Sequence, residues 1–97
     1  MLEVGKLYLC EDYSLLLYPD PETAAAAGLT LATAATPADA AGAYWTRKLG
    51  KSVSYTDKNI PLLSLNNKEK YVEVLAGDRK GWIIIEDWLG IKEIDYA

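Results

Sequence analysis

The stretch from Lys70 to Ile85 constrains this chain most. Val72 and Val74 alternate with Tyr71, Glu73 and Leu75, a period of two that a half-buried strand requires and a helix cannot use. Gly77-Asp78-Arg79-Lys80-Gly81 follows, rich in flexible and polar residues, and then the β-prone run Trp82 to Ile85. The pair predicts an antiparallel hairpin. An Ile-Ile-Ile run on an open edge invites association, so further strands are expected to enclose it.

Those strands are legible on both sides. Val4, Leu7 and Leu9 interleave with Lys6 and Tyr8, Glu11-Asp12 interrupts, and Ser14 to Tyr18 resumes the apolar pattern. This predicts a first hairpin, ended by Pro19, which has no N–H to join a ladder. Ser52–Tyr55 and Pro61–Leu65 read as short strands, with Asn66-Asn67 as the turn after the second. Residues 86–90 suit a single 3₁₀ turn, and Ile91–Ile94 a closing strand.

Residues 20–50 differ in kind. Eleven of the twenty residues from Ala24 to Ala43 are alanine. Asp20-Pro21-Glu22 is a helix start and Gly28 a helix stop. Thr36-Pro37-Ala38-Asp39 repeats the start, for a second helix from Pro37 to about Leu49 that Gly50 ends. Ala38, Ala41, Trp45 and Leu49 form one apolar stripe, small at its N-terminal half, which predicts close approach to the body there. Leu29–Ala35 between them fits a linker or a short strand.

Ninety-seven residues, 51% hydrophobic and 25% charged, describe one globular domain spanning residues 1–97. Six or seven short strands fit a small antiparallel barrel better than a sandwich once the helical insertion at about 20–50 is subtracted. The expected class is therefore mainly β, an antiparallel barrel carrying an Ala-rich two-helix insertion.

The chemistry is bounded by what is missing. There is no histidine, and Cys10 is the single cysteine, flanked by Glu11-Asp12, so it reads as a small buried hydrophobe. No nucleophile elbow, phosphate-binding glycine loop or Cys-x-x-Cys is present. The acidic set Glu11-Asp12, Asp20, Glu22, Glu86-Asp87, Glu93 and Asp95 matches no metal loop and reads as surface polarity of a soluble chain. No catalysis, metal or cofactor is expected. No basic leader precedes a long apolar run, and none approaches the ~18 residues of a membrane span, so a cytoplasmic location is expected.

The C-terminal third resembles an SH3-like barrel of the bacterial SH3 type. The resemblance lies in Tyr71-Val72-Glu73-Val74-Leu75, Gly77 to Ile83 with its Gly81-Trp82 pair, Asp87-Trp88-Leu89 and Ile91–Ile94, and loosely in Gly5-Lys6-Leu7-Tyr8-Leu9 as an opening strand. It implies a ligand groove lined by aromatics, here Tyr71, Trp82, Trp88 and Tyr8, with the insertion in place of the long first loop. The Ala-Leu-Tyr-Asp-Tyr and Pro-Ser-Asn-Tyr segments of polyproline-binding SH3 domains are absent, and Ile84-Ile85-Glu86-Asp87 stands where the second falls.

A second surface is cationic. Arg47, Lys48, Lys51 and Lys58 fall within twelve residues, interleaved with Tyr44, Trp45 and Tyr55. Cations beside aromatics suit single-stranded nucleic acid, while Arg47 and Lys48 also suit the negative end of a helix dipole. Fourteen acidic against ten basic residues leave a net charge of −4, a field that does not attract phosphate backbones. The expectation is a non-catalytic protein- or peptide-binding or assembly module. The alternatives are nucleic-acid binding through residues 44–58, or a phage or viral structural subunit forming a homo-oligomer.

Overall fold

The alternating stretch forms the predicted strands, and their partners decide the rest. The computed structural model describes residues 2–11, 13–28, 37–86 and 89–94. Its elements are β1 (Leu7–Leu9), β2 (Leu16–Leu17), α1 (Pro21–Ala27), α2 (Ala38–Leu49), β3 (Ser54–Tyr55), β4 (Pro61–Lys68), β5 (Tyr71–Ala76), β6 (Arg79–Ile84) and β7 (Lys92–Glu93). The protein is mainly β. Five strands form one antiparallel sheet in the order β6-β5-β4-β1-β7, and β2 pairs with β3 in a separate two-stranded sheet.

Strands β4, β5 and β6 are a meander with two tight turns. The first turn lies at Glu69-Lys70, because Lys68 pairs with Tyr71. Asn66 and Asn67, expected in that turn, belong to β4. A register shift between Ser64 and Asn66 absorbs an extra residue, and the two amides bond outward instead. Asn66 Nδ2 donates to Glu73 Oε1 at 2.6 Å and Asn67 Nδ2 to the Leu2 carbonyl at 2.6 Å. The second turn is only Gly77-Asp78, since Ala76 pairs with Arg79. Gly77 takes φ +65° there, the left-handed region open to glycine. Arg79, Lys80 and Gly81, expected in the turn, are part of β6.

The expected first hairpin does not form. β1 pairs with β4 on one side and β7 on the other, whereas β2 pairs with β3. The reason is burial on both faces: Leu15, Leu16, Leu17 and Tyr18 are each at most 1% exposed, and a hairpin with β1 would leave one face wet. Instead the segment crosses β6. Tyr18 and Trp82 exchange both backbone hydrogen bonds, at 2.9 and 2.7 Å. Gly81 permits the crossing, because a Cβ there would stand 2.7 Å from Leu17 Cβ and 3.1 Å from the Tyr18 carbonyl oxygen.

The expected closed barrel is also corrected. β7 returns beside β1 and so joins the two ends of the fold, and Lys6 Nζ reaches Glu93 at 3.2 Å across that seam. Among the described residues β6 and β7 do not pair, so the sheet stays open.

Both helices follow their end signals. Asp20 caps α1, Pro21 is its first residue, and Gly28 closes it at φ +67°. The second start differs by one residue: Pro37 itself is the N-cap, without a side-chain cap bond. Thr36 and the Leu29–Ala35 linker lie outside the described residues. The stripe Ala38, Ala41, Trp45 and Leu49 faces inward, and Gly42 joins it, its Cα so close that a Cβ would meet the Val53 carbonyl at 3.1 Å. Thr46 then stitches α2 to the chain, its hydroxyl donating to the Gly42 carbonyl at 2.8 Å and accepting from Val53 N–H at 2.9 Å.

Two cores result. One, on one face of the sheet, holds Tyr8, Cys10, Leu15, Leu17, Leu62, Val72, Val74 and Ile83, with Leu89 beside them. The other, on the opposite face beneath the helices, holds Leu16, Tyr18, Ala24, Ala41, Val53 and Ile84. Burial pushes the Tyr18 phenol up to about 12, so it stays neutral at any ordinary pH.

Two stability predictions follow from this packing. Gly81→Ala sets a methyl against the β2 backbone, which has no side-chain freedom to yield, and is expected to cost about 3 kcal/mol in urea unfolding. A loss below about 0.5 kcal/mol would show that the crossing is loose. Ser64 is fully buried, and its Oγ has no hydrogen-bond partner among the described residues. Ser64→Ala removes that desolvated hydroxyl and is expected to raise stability by roughly 1 kcal/mol; a comparable loss would mean that the hydroxyl is bonded.

Candidate functional site

Because opposite residues of a ladder share a face, the register shows what each side of the sheet carries. Tyr8, Leu62 and Ala76 face the first core. One residue away, Leu7 pairs with Leu63 and Leu63 with Leu75, a row of three leucines across β1, β4 and β5 on the other face. Leu9, opposite Pro61, extends it. Leu7, Leu9 and Leu63 are half-buried, Leu75 is 36% exposed, and none of the four packs into either core. Among the described residues the helices cover this face at its β5–β6 end, over Tyr71, Trp82 and Ile84. Solvent-facing sides of antiparallel sheets ordinarily alternate to polar residues. Here the side away from the first core carries an apolar row, bounded by the exposed Lys80 opposite Leu75, by Lys92 opposite Leu9 and by the Asn66–Glu73 pair.

The aromatic residues expected to line a groove are distributed otherwise. Tyr71 and Trp82 do lie on paired strands, in diagonal positions, with Tyr71 opposite Ile84 and Trp82 opposite Glu73. Both are half-buried against the second core. Tyr8 is 7% exposed and belongs to the first core; its hydroxyl accepts from Glu3 N–H at 2.7 Å. Trp88 and Asp87 lie outside the described residues; of their neighbours, Leu89 N–H donates to the Glu86 carbonyl at 3.2 Å.

The cationic set is brought together only in part. Arg47 and Lys48 are exposed in the last turn of α2, and Lys51 follows just after it. Lys58 sits apart, in a turn whose next residue, Asn59, donates its N–H to the Cys10 carbonyl at 3.2 Å. Lys51 lines a shallow groove of about 370 Å³ with Asp20, Glu22, Thr23, Ala26 and Leu49. The groove offers little chemistry. Asp20 Oδ1 already accepts from Thr23 N–H at 2.7 Å and from Thr23 Oγ1 at 2.6 Å. Among the described residues no three acidic or cysteine side chains gather to hold a metal.

Sequence reasoning missed the leucine row. Its signal was Pro61-Leu62-Leu63-Ser64-Leu65, an apolar run without alternation, which implies a strand with two apolar faces. The exposed aromatics lie outside the expected groove: Tyr13 is 36% exposed, and Tyr44 on α2 is 46% exposed, its ring edge-on to Trp45 at 5.1 Å.

Asp20 generates a pH prediction. Its bonds from Thr23, with Lys51 nearby, hold the carboxyl below the ordinary 3.8. A lowered folded-state pKa gives stability that is present above the unfolded value and lost as pH falls through the folded one. Asp20→Ala is therefore expected to cost about 1 kcal/mol at neutral pH, with the gap from wild type closing as pH falls below the ordinary 3.8 and through the lowered folded-state value. A gap that persists unchanged into acid would assign the loss to something other than the carboxylate.

No helix among the described residues is long and apolar enough to cross a membrane. Comparison with protein-family models, curated proteins and solved structures returns no match.

Proposed function

We propose that this chain is a non-catalytic protein-binding module, and that the face carrying Leu7, Leu63 and Leu75 is where it docks its partner. One observation carries the reading: three leucines stand in register across three strands, outside both cores. An apolar sheet face costs free energy in water and is relieved by covering it with another surface. This moves the binding surface from the expected aromatic groove to the end of the same sheet face that the described helices leave uncovered, since Tyr71 and Trp82 are partly spent on packing under the helices.

The SH3-like reading belongs to the same proposal. It is supported by the opening strand lying beside the closing one, by the tight hairpin at Gly77-Asp78 leading to Gly81-Trp82, by the 3₁₀ bond at Glu86–Leu89, and by helices where a first loop would run. Such a frame holds a fixed sheet face and needs no moving part to present it.

The test separates docking from folding. Leu63→Ser and Leu75→Ser are each expected to change unfolding free energy by less than about 1 kcal/mol, whereas Leu62→Ala, one position away in the core, loses about 2–5 kcal/mol. A photoreactive phenylalanine analogue at position 75, in cells producing the protein, is expected to give a discrete crosslinked species that Leu63→Ser abolishes. The same analogue at the exposed Asp78 is expected to give none. A second copy of the chain in that species would assign the face to self-assembly; identical patterns from positions 75 and 78 would overturn the reading.

A further inference from the structure

The helix insertion presents a surface of another chemistry. Tyr44, Arg47 and Lys48 stand at i, i+3 and i+4 of α2, which puts them side by side on one helix face. All three are exposed; Arg47 stands opposite the stripe formed by Ala38, Ala41, Trp45 and Leu49, and Tyr44 and Lys48 lie on its flank. Tyr44 is held edge-on by Trp45, itself anchored in the second core. The ring is thus a braced apolar surface rather than a loose one. Among the described residues neither Arg47 nor Lys48 has an ion-pair partner within reach, in a chain whose net charge is −4. The dipole of α2 accounts for cations in its last turn, but not for a large aromatic ring left in water beside them.

We infer that the Tyr44–Arg47–Lys48 face of α2 binds a short acidic segment of a partner protein, through two carboxylates on the cations and an apolar side chain on the Tyr44 ring. The extent of the positive surface selects this occupant. Asp39 lies exposed in the first turn of α2, and beyond its last turn Lys51 lines the shallow groove with Asp20 and Glu22. Between these acidic neighbours stand two exposed cations, Arg47 and Lys48, which match two carboxylates. A nucleic-acid strand would run its phosphates into the acidic neighbours, against the field of the whole molecule. A guanidinium and an ammonium one residue apart suit separate carboxylates, and aromatic residues beside Arg are enriched where interfaces hold their energy. This surface is distinct from the leucine row, so either assignment can fail without the other.

The experiment uses three fluorescein-labelled probes of equal length with the full-length chain: a peptide of Glu-Leu-Glu repeats, its Gln-Leu-Gln counterpart, and oligothymidine. Fluorescence anisotropy is expected to show binding of the acidic peptide alone, weakened about tenfold or more by R47Q/K48Q, weakened several-fold by Tyr44→Ser, and weakened several-fold between roughly 50 and 500 mM salt. Thermal melts by circular dichroism accompany each variant. Should R47Q/K48Q fail to fold, Tyr44→Ser and the salt series carry the decision. Equal binding of the glutamine peptide, an unchanged affinity in both variants, or no binding of the acidic peptide at the highest soluble concentration overturns the inference. Tighter binding of oligothymidine overturns it in favour of nucleic acid.

Discussion

The structure depends on four residues that cross a strand. Leu15 to Tyr18 sends Leu15 and Leu17 into one core and Leu16 and Tyr18 into the other. It can do so only because β6 offers a glycine at the crossing, so that two backbones approach closer than any side chain allows. The hydrogen bonds exchanged by Tyr18 and Trp82 fix the register of that crossing. Thr56 secures its other flank: its N–H donates to the Leu15 carbonyl at 2.8 Å, and its Oγ1 accepts from Leu15 N–H at 2.9 Å. Through Leu16 and Tyr18 this segment joins the core that the helices share with Ile84 of β6.

The helical layer is held by polar stitches as much as by apolar area. Thr46 lends its hydroxyl to the backbone of Val53 as a strand neighbour would, and Arg79 bonds the Tyr55 carbonyl at 3.0 Å while its guanidinium stacks 4.4 Å from that ring. Such bonds matter because a half-buried peptide group left unpaired costs more than a single contact returns. They also set where the layer ends. The described helices cover Tyr71, Trp82 and Ile84 rather than Leu7, Leu63 and Leu75, so they mark one edge of the leucine row.

What the amino-acid sequence reveals here is what local physics decides. Strand β5, its inward valines, the caps of α1 and the stop of α2 depend on neighbours a few residues away, and all are readable. Partners across the chain are not. Nothing near Leu16 says that it pairs with Tyr55 rather than with β1, and nothing near Gly81 distinguishes a turn glycine from one that admits a crossing strand. Asn66-Asn67 misleads for a related reason: its turn preference yields to a bulge and to bonds with Glu73 and Leu2. The site suffers most. Whether Tyr71 and Trp82 stand in a groove or under a helix depends on elements far away in the chain, and Trp88 falls outside the described residues.

The crossing carries a cost in time. Tyr18 leaves the ribosome 64 residues ahead of Trp82, its backbone partner. At about 5–20 residues per second this is a delay of roughly 3–13 s. Throughout it Leu-Leu-Leu-Tyr has neither Gly81 to lie across nor the sheet to fill. For those seconds the most buried stretch of the finished molecule is a sticky tetrapeptide on a nascent chain, open to holdase chaperones and to misassociation.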